Sequence, residues 1–243
     1  MSVDREIIFQ QFIPGYGEVS VEDSVYQGEI VRLLMVNGAM QSSTYLDPAR
    51  HAQLIFGYMN EFDWAQRLRP EAERTLLIGG GAMSYPKHFV ETFPGRQIDV
   101  VELCPEMVDL AKRFFFYEEV MARKPESSPE PRIFITDGDA YLSETQETYD
   151  VILSDVYIGF KWHRKAAAQK NCNLVKSRLN EGGIYALNVV TAQKGPYGLR
   201  GYWLMKHLRN CFKHTLLIPC QAENDFFYPQ NCLIFATDGE LAI

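Results

Sequence analysis

The sequence has no closely spaced pair of cysteines and no long apolar run. Its five cysteines stand apart, without a C-x-x-C motif: Cys104, Cys172, Cys211, Cys220 and Cys232. This spacing predicts reduced thiols in a cytoplasmic protein and no zinc or other metal site. No apolar run approaches the roughly 18 residues of a membrane helix, so we expect no membrane partner. Asp4, Arg5 and Glu6 precede the first apolar run, and these charges predict that no signal peptide is present.

Basic residues are scarce relative to acidic ones. Lys and Arg number 24 against 31 Asp and Glu, which gives a formal charge of −7. Binding to nucleic acid or to an anionic membrane needs a basic face, so this balance argues against both partners. In contrast, 47% of the residues are apolar, which is enough for a packed core. The length of 243 residues predicts one α/β domain of roughly 150 to 200 residues with an appendage.

The first 46 residues predict a small β module. EIIFQQFIP and YQGEIVRLLMVNGAMQS read as short strands, and Asn37-Gly38 between apolar flanks is a strong hairpin signal. Asp47-Pro48 then predicts the start of a helix that runs to residue 68 and is closed by Pro70. The apolar stripe of this helix comprises Ala52, Ile55, Phe56 and Met59. We therefore assign residues 1–46 to the β module and residues 47–243 to the predicted α/β domain.

The chain is organised around residues 75–103. This stretch reads as an apolar strand, a triple-glycine turn, a helix and a second apolar strand that ends on an acid. Gly79, Gly80 and Gly81 allow a sharp turn and a close approach of the backbone to a ligand, because they have no Cβ. Glu102 follows about twenty residues later, where a βαβ nucleotide site places its acceptor for ribose hydroxyls. This unit predicts a ligand built on adenosine.

From residue 75 onward, strands alternate with helices, which predicts a mostly parallel sheet covered on both faces. The predicted strands are 75–78, 98–103, 132–136, 150–154 and 184–190, and the predicted helices are 85–92, 106–116, 170–179 (stopping at Gly182-Gly183) and 201–211. TLLIPC and NCLIFAT are so close in sequence that they can pair only as an antiparallel hairpin. A seven-stranded sheet that ends in such a hairpin is the plan of S-adenosylmethionine-dependent transferases. The pattern therefore predicts a Rossmann-like α/β fold that binds a sulfonium nucleoside rather than NAD.

Four features of this sheet fall at the carboxyl ends of predicted strands, where open α/β sheets bind their ligands. They are the glycine turn, Glu102, Asp137-Gly138 and Asp155. Their convergence on one edge predicts a nucleoside site. Alternatives stay open at single positions: Glu102 could end its strand in solvent, Asp139 could replace Asp137, and Asp155 could cap the segment after it.

Six short motifs occur in a fixed order between residue 24 and about residue 160. They are SVYQGEI with Gln27, VNGAMQS with Gln41, LLIGGGA, VVEL with Glu102, TDGDAYL with Asp137, and YDVILSD with Asp155. In their order and approximate spacing, the chain resembles the spermidine synthase family of polyamine aminopropyltransferases, which have a class I methyltransferase-like fold. A β module before the nucleoside-binding fold is a further trait of that family.

This resemblance implies a donor site for decarboxylated S-adenosylmethionine or S-adenosylmethionine, without a metal. It implies that Glu102 accepts hydrogen bonds from the ribose hydroxyls. It implies that Asp137 and the backbone of Gly138 read the amino edge of the adenine. Gln27 would reach the nucleoside from the β module, and the turn 79–81 would complete the donor site.

The resemblance further implies aminopropyl transfer to a small amine acceptor, with Asp155 as the general base. An amine attacks carbon only as the free base, although its pKa in water is about 10. A carboxylate at the reaction centre can orient the ammonium group and take the proton as the C–N bond forms. Gln41 and Tyr157 would contact the acceptor, although Gln41 could also be only a turn residue. A homodimer is usual among the proteins that the chain resembles.

Two departures from the family pattern weaken the predicted polyamine site. Ala82 stands where an Asp usually holds the cationic end of the donor, and Ile158 stands where a second acceptor-binding Asp is usual. Without an acid at 82, intact S-adenosylmethionine could bind. The alternatives are therefore a methyltransferase acting on a small molecule that is not a polyamine, or a non-catalytic nucleoside-binding homologue. Lys161, Arg164 and Lys165 favour an acidic or neutral acceptor, or else simply a solvated helix start.

Overall fold

The computed structural model describes residues 5–158, 161–162, 169–221 and 226–240, with the backbone alone described at 157–158, 161–162 and 169–170. Within these ranges the chain forms a four-stranded sheet, a seven-stranded sheet and a two-stranded ribbon. No helix in the described ranges is long and apolar enough to cross a membrane.

The four-stranded sheet is an antiparallel meander at the N-terminal end. Its strands are β1 (Glu6–Ile13), β2 (Gly17–Tyr26), β3 (Glu29–Val36) and β4 (Ala39–Tyr45). Two of its turns use residue pairs with positive φ, Gln27-Gly28 at 52° and 83° and Asn37-Gly38 at 50° and 77°. Two-residue type I′ hairpin turns require this conformation. The predicted Asn-Gly hairpin is confirmed. The apolar pattern of the sequence does not predict β2 as a separate strand.

The ribbon and the main sheet follow. Their strands are β5 (Arg74–Ile78), β6 (Gln97–Glu102), β7 (Arg132–Ile135), β8 (Tyr149–Ser154), β9 (Tyr157–Ile158), β10 (Lys161–Trp162), β11 (Leu179–Thr191), β12 (His214–Pro219) and β13 (Gln230–Thr237). The main sheet has the order β12-β13-β11-β8-β5-β6-β7. Strands β7, β6, β5, β8 and β11 run parallel, and β13 is antiparallel to both β11 and β12. This topology confirms the predicted Rossmann-like fold with a terminal antiparallel hairpin.

Helices lie on both faces of the main sheet. They are α1 (Gly57–Glu61), α2 (Asp63–Leu68), α3 (Ser84–Thr92), α4 (Pro105–Phe114), α5 (Tyr117–Arg123), α6 (Gly138–Glu144), α7 (Gln169–Ser177) and α8 (Leu199–Arg209). Neighbouring residues of a strand face opposite cores, as the two-residue period requires. Leu77 and Val100 belong to the core that also contains the N-terminal sheet. Leu76 and Val101 belong to the core on the other face, with α7 and α8.

The prediction of one helix over residues 48–68 is wrong. The chain forms a 3-10 turn at Pro48–Arg50 and then the two short helices α1 and α2. The ring of His51 stacks on the ring of Phe116 at a centroid distance of 3.7 Å. The apolar stripe packs on the N-terminal sheet in a cluster that contains Phe56, Met59, Val31 and Leu33. These tertiary contacts, rather than the local helix propensity, determine the path of the chain in this segment.

The helix that the sequence extends to residue 179 ends at Ser177, before Gly182-Gly183. Both glycines lie inside β11, at an irregularity in its pairing with β8. A Cβ on Gly183 would lie 2.9 Å from the carbonyl oxygen of Asn180. The glycine pair therefore allows a close backbone approach in the sheet and does not cap the helix. Helices α5 and α6 are further elements that the sequence pattern does not predict.

Candidate active site

A cavity of about 430 Å³ opens along the carboxyl edge of the main sheet. Its wall is built strand by strand from the residues at that edge: Asp137 after β7, Glu102 at the end of β6, Gly79, Gly80 and Gly81 after β5, Asp155 after β8, and Asn188 in β11. The structure thus brings together the four features that the sequence places at strand ends. It also places Asp155 between the glycine turn on one side and β11 on the other.

The glycine turn is packed closely against neighbouring backbone. Gly79 has a φ of +94°, and a Cβ there would lie 2.2 Å from the carbonyl oxygen of Asp155. A residue with a side chain would therefore push apart the ends of β5 and β8. Ser42 supports the turn from the N-terminal sheet, because its Oγ accepts a hydrogen bond from Ala82 N at 3.0 Å.

Glu102 is fixed by backbone N–H groups. Its Oε2 accepts hydrogen bonds from Gly80 N and Gly81 N, each at 2.9 Å, and its Oε1 accepts one from Cys104 N at 2.9 Å. The side chain is 5% exposed, so the alternative that Glu102 ends its strand in solvent is wrong. Burial raises the pKa of Glu102 above its ordinary value, and these N–H donors oppose that shift. The carboxylate is preoriented towards the cavity.

Asp137 has two roles in the local structure. It is the N-cap of α6, and its Oδ1 accepts hydrogen bonds from Asp139 N at 3.0 Å and Ala140 N at 3.1 Å. These bonds hold the carboxylate at the rim of the cavity. Asp139 also lines the cavity, and it accepts a hydrogen bond from Asn171 Nδ2. Both Asp137 and its sequence alternative Asp139 therefore lie at the cavity.

Asp155 receives one hydrogen bond on each carboxylate oxygen. Asn188 Nδ2 donates to Oδ1 at 2.9 Å, and the hydroxyl of Tyr58 donates to Oδ2 at 2.9 Å. Burial raises the pKa of Asp155 above its ordinary value, and the two donors act in the opposite direction. A positioned carboxylate with a raised pKa is better suited to take a proton than an exposed one.

Tyr58 and Asn188 are functional candidates that sequence reasoning misses. Asn188 leaves a signal, because it is the single amide in the apolar run IYALNVV and is 1% exposed. A buried polar side chain of this kind needs a partner, and here the partner is Asp155. Tyr58 leaves no such signal, because nothing in the sequence relates α1 to a strand end 97 positions away.

The residues that the sequence singles out in the N-terminal part of the chain differ in whether they line the cavity. Gln41 lines the cavity beside Ser42. Gln27 lies exposed in the turn between β2 and β3, away from the cavity wall. Ala82 is fully buried behind the glycine turn, and it does not line the cavity either. The structure thus places Gln41, but neither Gln27 nor Ala82, at the site.

The predicted acceptor contacts after β8 fall outside the described side chains. The backbones of Tyr157 and Ile158 form β9, and their side chains are not described. The same holds for the side chain of Lys161, while Arg164 and Lys165 lie outside the described residues altogether.

Carboxylates dominate the charge of the described cavity wall. Four acids line it, namely Glu102, Asp137, Asp139 and Asp155, against the single guanidinium of Arg200. A cavity with this balance attracts cationic ligands such as a sulfonium or an ammonium. In the described part of the chain, no group of three His, Cys, Asp or Glu side chains lies close enough to hold a metal ion.

Comparisons with known proteins agree with this architecture. The sequence profile of the spermine/spermidine synthase domain matches residues 63–197. A polyamine aminopropyltransferase of Vibrio vulnificus is 25% identical over 158 residues, which are 64% of this chain and 50% of that protein. The human eEF1A lysine and N-terminal methyltransferase is 29% identical over 132 residues, 49% of this chain and 18% of that protein.

The fold has a solved counterpart. The crystal structure of a probable spermidine synthase from Corynebacterium glutamicum has a TM-score of 0.74 at 20% identity, and the match covers 99% of this chain and 81% of that one. This match shows a common fold. In sequence, the match spans half the length of the Vibrio vulnificus relative.

Proposed function

The chain belongs to the spermine/spermidine synthase family, and on this ground we propose that it transfers an aminopropyl group from decarboxylated S-adenosylmethionine to an amine acceptor. The observation that carries the proposal is the position of Asp155 in the cavity, between the glycine turn and Asn188. A base is needed at the point where a donor and an acceptor meet. The similarity to the Vibrio vulnificus aminopropyltransferase supports the same reaction.

The donor half of the proposed site lies over β5, β6 and β7. Glu102 would accept hydrogen bonds from the ribose hydroxyls chiefly through Oε1, which accepts from Cys104 N, because Oε2 already accepts from both Gly80 N and Gly81 N. Asp137 or Asp139 would accept from the adenine amino group. The absence of a Cβ at the glycine turn lets the ligand approach the backbone there. The acidic wall favours the sulfonium charge of the donor.

The proposed chemistry is a single displacement. The lone pair of the neutral amine forms a C–N bond with the aminopropyl carbon next to the sulfur. The C–S bond breaks, and its electron pair stays on sulfur, so the sulfonium becomes the neutral thioether methylthioadenosine. Asp155 takes the proton that the amine loses. Tyr58 and Asn188 hold the carboxylate in place during this step.

Methyl transfer from S-adenosylmethionine is the second candidate. The observation that favours it is the similarity to the human eEF1A lysine and N-terminal methyltransferase. Methyl transfer to an amine would use the same nucleoside contacts and the same base. The two candidates differ in the donor, which is decarboxylated or intact S-adenosylmethionine, and in which carbon of the sulfonium is attacked.

Calorimetry and product mass together test the proposal. We expect methylthioadenosine to bind and decarboxylated S-adenosylmethionine to bind more tightly than S-adenosylmethionine, since the wall is acidic. Incubation of each donor with an amine panel, followed by mass spectrometry, then distinguishes an added aminopropyl group from an added methyl group. A clear preference for S-adenosylmethionine with methylated products would replace the first candidate by the second. No affinity for methylthioadenosine would exclude the first candidate, and no affinity for S-adenosylhomocysteine, the product of methyl transfer, would exclude the second.

A small amine acceptor, a homodimer and a cytoplasmic location complete the proposed picture. The family supports an amine acceptor. The dimer and the location are predictions from the sequence, which gel filtration with light scattering and cell fractionation can check.

A further inference from the structure

The turn between β1 and β2 reaches the cavity with one side chain, that of Tyr16. Tyr16 lines the cavity together with Glu102, the last residue of β6. Its ring is half-buried and packs on the core that contains the N-terminal sheet. A phenol from the N-terminal sheet therefore stands at the part of the cavity that is proposed for the nucleoside.

The side chain of Asn37 holds this turn in place. Asn37 Nδ2 donates a hydrogen bond to the carbonyl oxygen of Tyr16 at 2.6 Å, and Asn37 Oδ1 accepts one from Glu18 N at 3.1 Å. The backbone N–H of Asn37 also donates to the carbonyl oxygen of Glu18 at 2.8 Å. These three bonds join the β3–β4 turn to the β1–β2 turn and fix the backbone on both sides of Gly17.

Gly17 makes the close approach of Asn37 possible. It has a φ of +97°, and a Cβ at this position would lie 2.2 Å from Asn37 Oδ1. A residue with a side chain would therefore displace the amide that holds the turn. The glycine and the amide together define where Tyr16 stands at the cavity.

The hydroxyl of Tyr16 is oriented towards the end of β6. Burial raises the pKa of Tyr16 above its ordinary value, and the negative charge of Glu102 raises it further, with smaller contributions from Cys104 and Glu106. These three residues lie at the end of β6 and the start of α4, which is where the ribose is proposed to bind. A phenol with a raised pKa keeps its proton in the neutral range and remains a hydrogen-bond donor.

A ribose hydroxyl can bond to Glu102 and to Tyr16 at the same time. Its hydrogen is donated to the carboxylate, and its oxygen keeps lone pairs that can accept from the phenol. Glu102 cannot supply the second bond, because an ionised carboxylate only accepts. Among the described residues, no side chain forms a hydrogen bond with the Tyr16 hydroxyl. Tyr16 therefore complements Glu102.

We propose that Tyr16 binds the ribose, with its hydroxyl donating to a ribose hydroxyl that Glu102 accepts from, and that it makes the contact which the sequence assigns to Gln27. Gln27 lies exposed and away from the cavity wall. Asn37 is a positioning residue that acts through Tyr16. The inference rests on the proposed function, because it places the ribose at Glu102. It holds for both candidate donors, since they share the adenosine group.

Tyr16→Phe removes the hydroxyl and keeps the ring that packs on the core. By calorimetry, its affinity for methylthioadenosine should fall about fivefold to tenfold, the loss expected for one neutral hydrogen bond, with an unchanged melting temperature. Tyr26→Phe is the matched control. Tyr26 lies at the end of β2, packs edge-on against Phe56 and does not line the cavity, so this variant should bind as the wild type does.

Two ligands that each lack one ribose hydroxyl identify the contact. They are the 2′-deoxy and 3′-deoxy forms of methylthioadenosine. With one of the two, the wild type and Tyr16→Phe should bind equally, because the hydroxyl that Tyr16 contacts is missing. A purely structural role of Tyr16 would instead lower the affinity for all three ligands by the same factor.

Asn37→Gly tests the positioning role. Glycine adopts the positive φ of Asn37, so the turn is kept while the amide is removed. The affinity for methylthioadenosine should fall about as much as in Tyr16→Phe. The double variant should lose less than the sum of the two single losses, because both act on one contact. Additive losses would overturn the positioning role of Asn37.

The results distinguish this inference from the proposed function. If the wild type binds neither methylthioadenosine nor S-adenosylhomocysteine, the proposed function fails and the inference fails with it. If it binds only S-adenosylhomocysteine, that compound and its deoxy forms replace the methylthioadenosine series. If Tyr16→Phe binds as the wild type does, or loses the same factor with both deoxy ligands, Tyr16 does not contact the ribose, while the donor site at Glu102 stands. A loss in Gln27→Ala with none in Tyr16→Phe would return the contact to Gln27.

Discussion

The hydroxyl of Tyr58 lies 2.9 Å from Oδ2 of Asp155 and donates a hydrogen bond to it. Tyr58 belongs to α1, the short helix that follows the N-terminal sheet, whereas Asp155 follows β8 in the middle of the main sheet. This bond therefore ties the proposed base to the segment that packs on the N-terminal sheet. Asn188 holds the other carboxylate oxygen from β11.

Replacing Tyr58 by Phe should shift the pH dependence of the reaction. The Tyr58 hydroxyl lowers the pKa of Asp155, against the raising effect of burial. Tyr58→Phe removes the donor, so the pKa rises further and the base is deprotonated only at higher pH. The acidic limb of kcat/KM should move to higher pH, and kcat/KM at pH 7 should fall about tenfold to a hundredfold. Steady-state kinetics at pH values from about 5 to about 9, between the ordinary pKa values of an Asp and of an amine, measure the position of the acidic limb and the value of kcat/KM.

The control for this prediction is Tyr45→Phe. Tyr45 stacks under the guanidinium of Arg50 and does not line the cavity. Its loss of a hydroxyl should leave the acidic limb in place. If Tyr58→Phe also left the limb in place, Tyr58 would not act through Asp155.

Replacing Asp155 by Asn should stabilise the fold while abolishing catalysis. The pKa of Asp155 is raised in the folded state, so the folded protein loses stability as the pH rises through that pKa. Below the pKa of the unfolded state, Asp155 is neutral in both states and the substitution should change little. At pH 8 the variant should melt about 2 to 4 °C higher than the wild type. The Oδ1 atom of Asn188, which has no hydrogen-bond partner among the described residues, could accept from the new amide after a flip.

Thermal melts of both proteins at pH 4 and pH 8 measure this difference. Asp109→Asn on α4 serves as the control, since Asp109 is exposed, and its curve should follow that of the wild type. A difference between Asp155→Asn and the wild type that does not grow with pH would contradict the assignment of a raised pKa.

Replacing Glu102 by Gln should damage the donor site. The two oxygens of Glu102 accept from Gly80 N, Gly81 N and Cys104 N. A Gln side chain would turn an amide NH₂ group towards one set of these donors, and the glycine turn would lose its anchor. Calorimetry should show at least a tenfold loss of methylthioadenosine affinity, with a lower melting temperature. Glu118→Gln, at an exposed position of α5, should change neither, and a Glu102→Gln variant with wild-type affinity would remove Glu102 from the donor site.

The sequence predicts well that the glycine turn, Glu102, Asp137 and Asp155 meet at one edge of the sheet, because each of them is local to a strand end. Once β5, β6, β7 and β8 are recognised, parallel pairing alone brings the glycine turn, Glu102, Asp137 and Asp155 to one edge. The terminal hairpin is also readable from the sequence, and it distinguishes the fold from dinucleotide-binding relatives. This part of the prediction needs no knowledge of side-chain contacts.

The sequence predicts the cavity contacts of Tyr58 and Arg200 poorly because both residues come from elements whose path depends on tertiary packing. The region around Tyr58 reads as one long helix, but the stacking of His51 on Phe116 and the cluster around Phe56 break it. Arg200 reads as an ordinary helix residue, because no periodicity shows that the start of α8 meets the cavity. Such contacts become visible only in three dimensions.

The last prediction concerns Lys87, a buried cation at the junction of the two sheets. Lys87 is 1% exposed, and its Nζ donates to Thr44 Oγ1 at 3.0 Å and to the carbonyl oxygen of Phe115 at 2.6 Å. Burial, with a smaller contribution from Arg123, lowers the pKa of Lys87 to about 7. The unfolded chain has a lysine pKa of about 10.4, so the unfolded state binds more protons between these values. Lys87 should therefore make the fold more stable as the pH rises from about 7 towards 10.

Lys87→Met isolates this effect in the difference between two unfolding curves. The variant leaves Thr44 and Phe115 without their donor, a cost of about 1 to 3 kcal/mol that does not depend on pH. It also removes the buried ammonium group, whose desolvation lowers the stability of the wild type most at low pH. Urea unfolding is measured at pH values of about 6, 7.5 and 9, which lie on both sides of the shifted pKa. As the pH rises, the free energy of unfolding of the wild type should increase relative to that of the variant. Lys112→Met, at an exposed position of α4, should run parallel to the wild type, and a parallel curve for Lys87→Met would mean that Lys87 keeps its proton in the fold as it does in water.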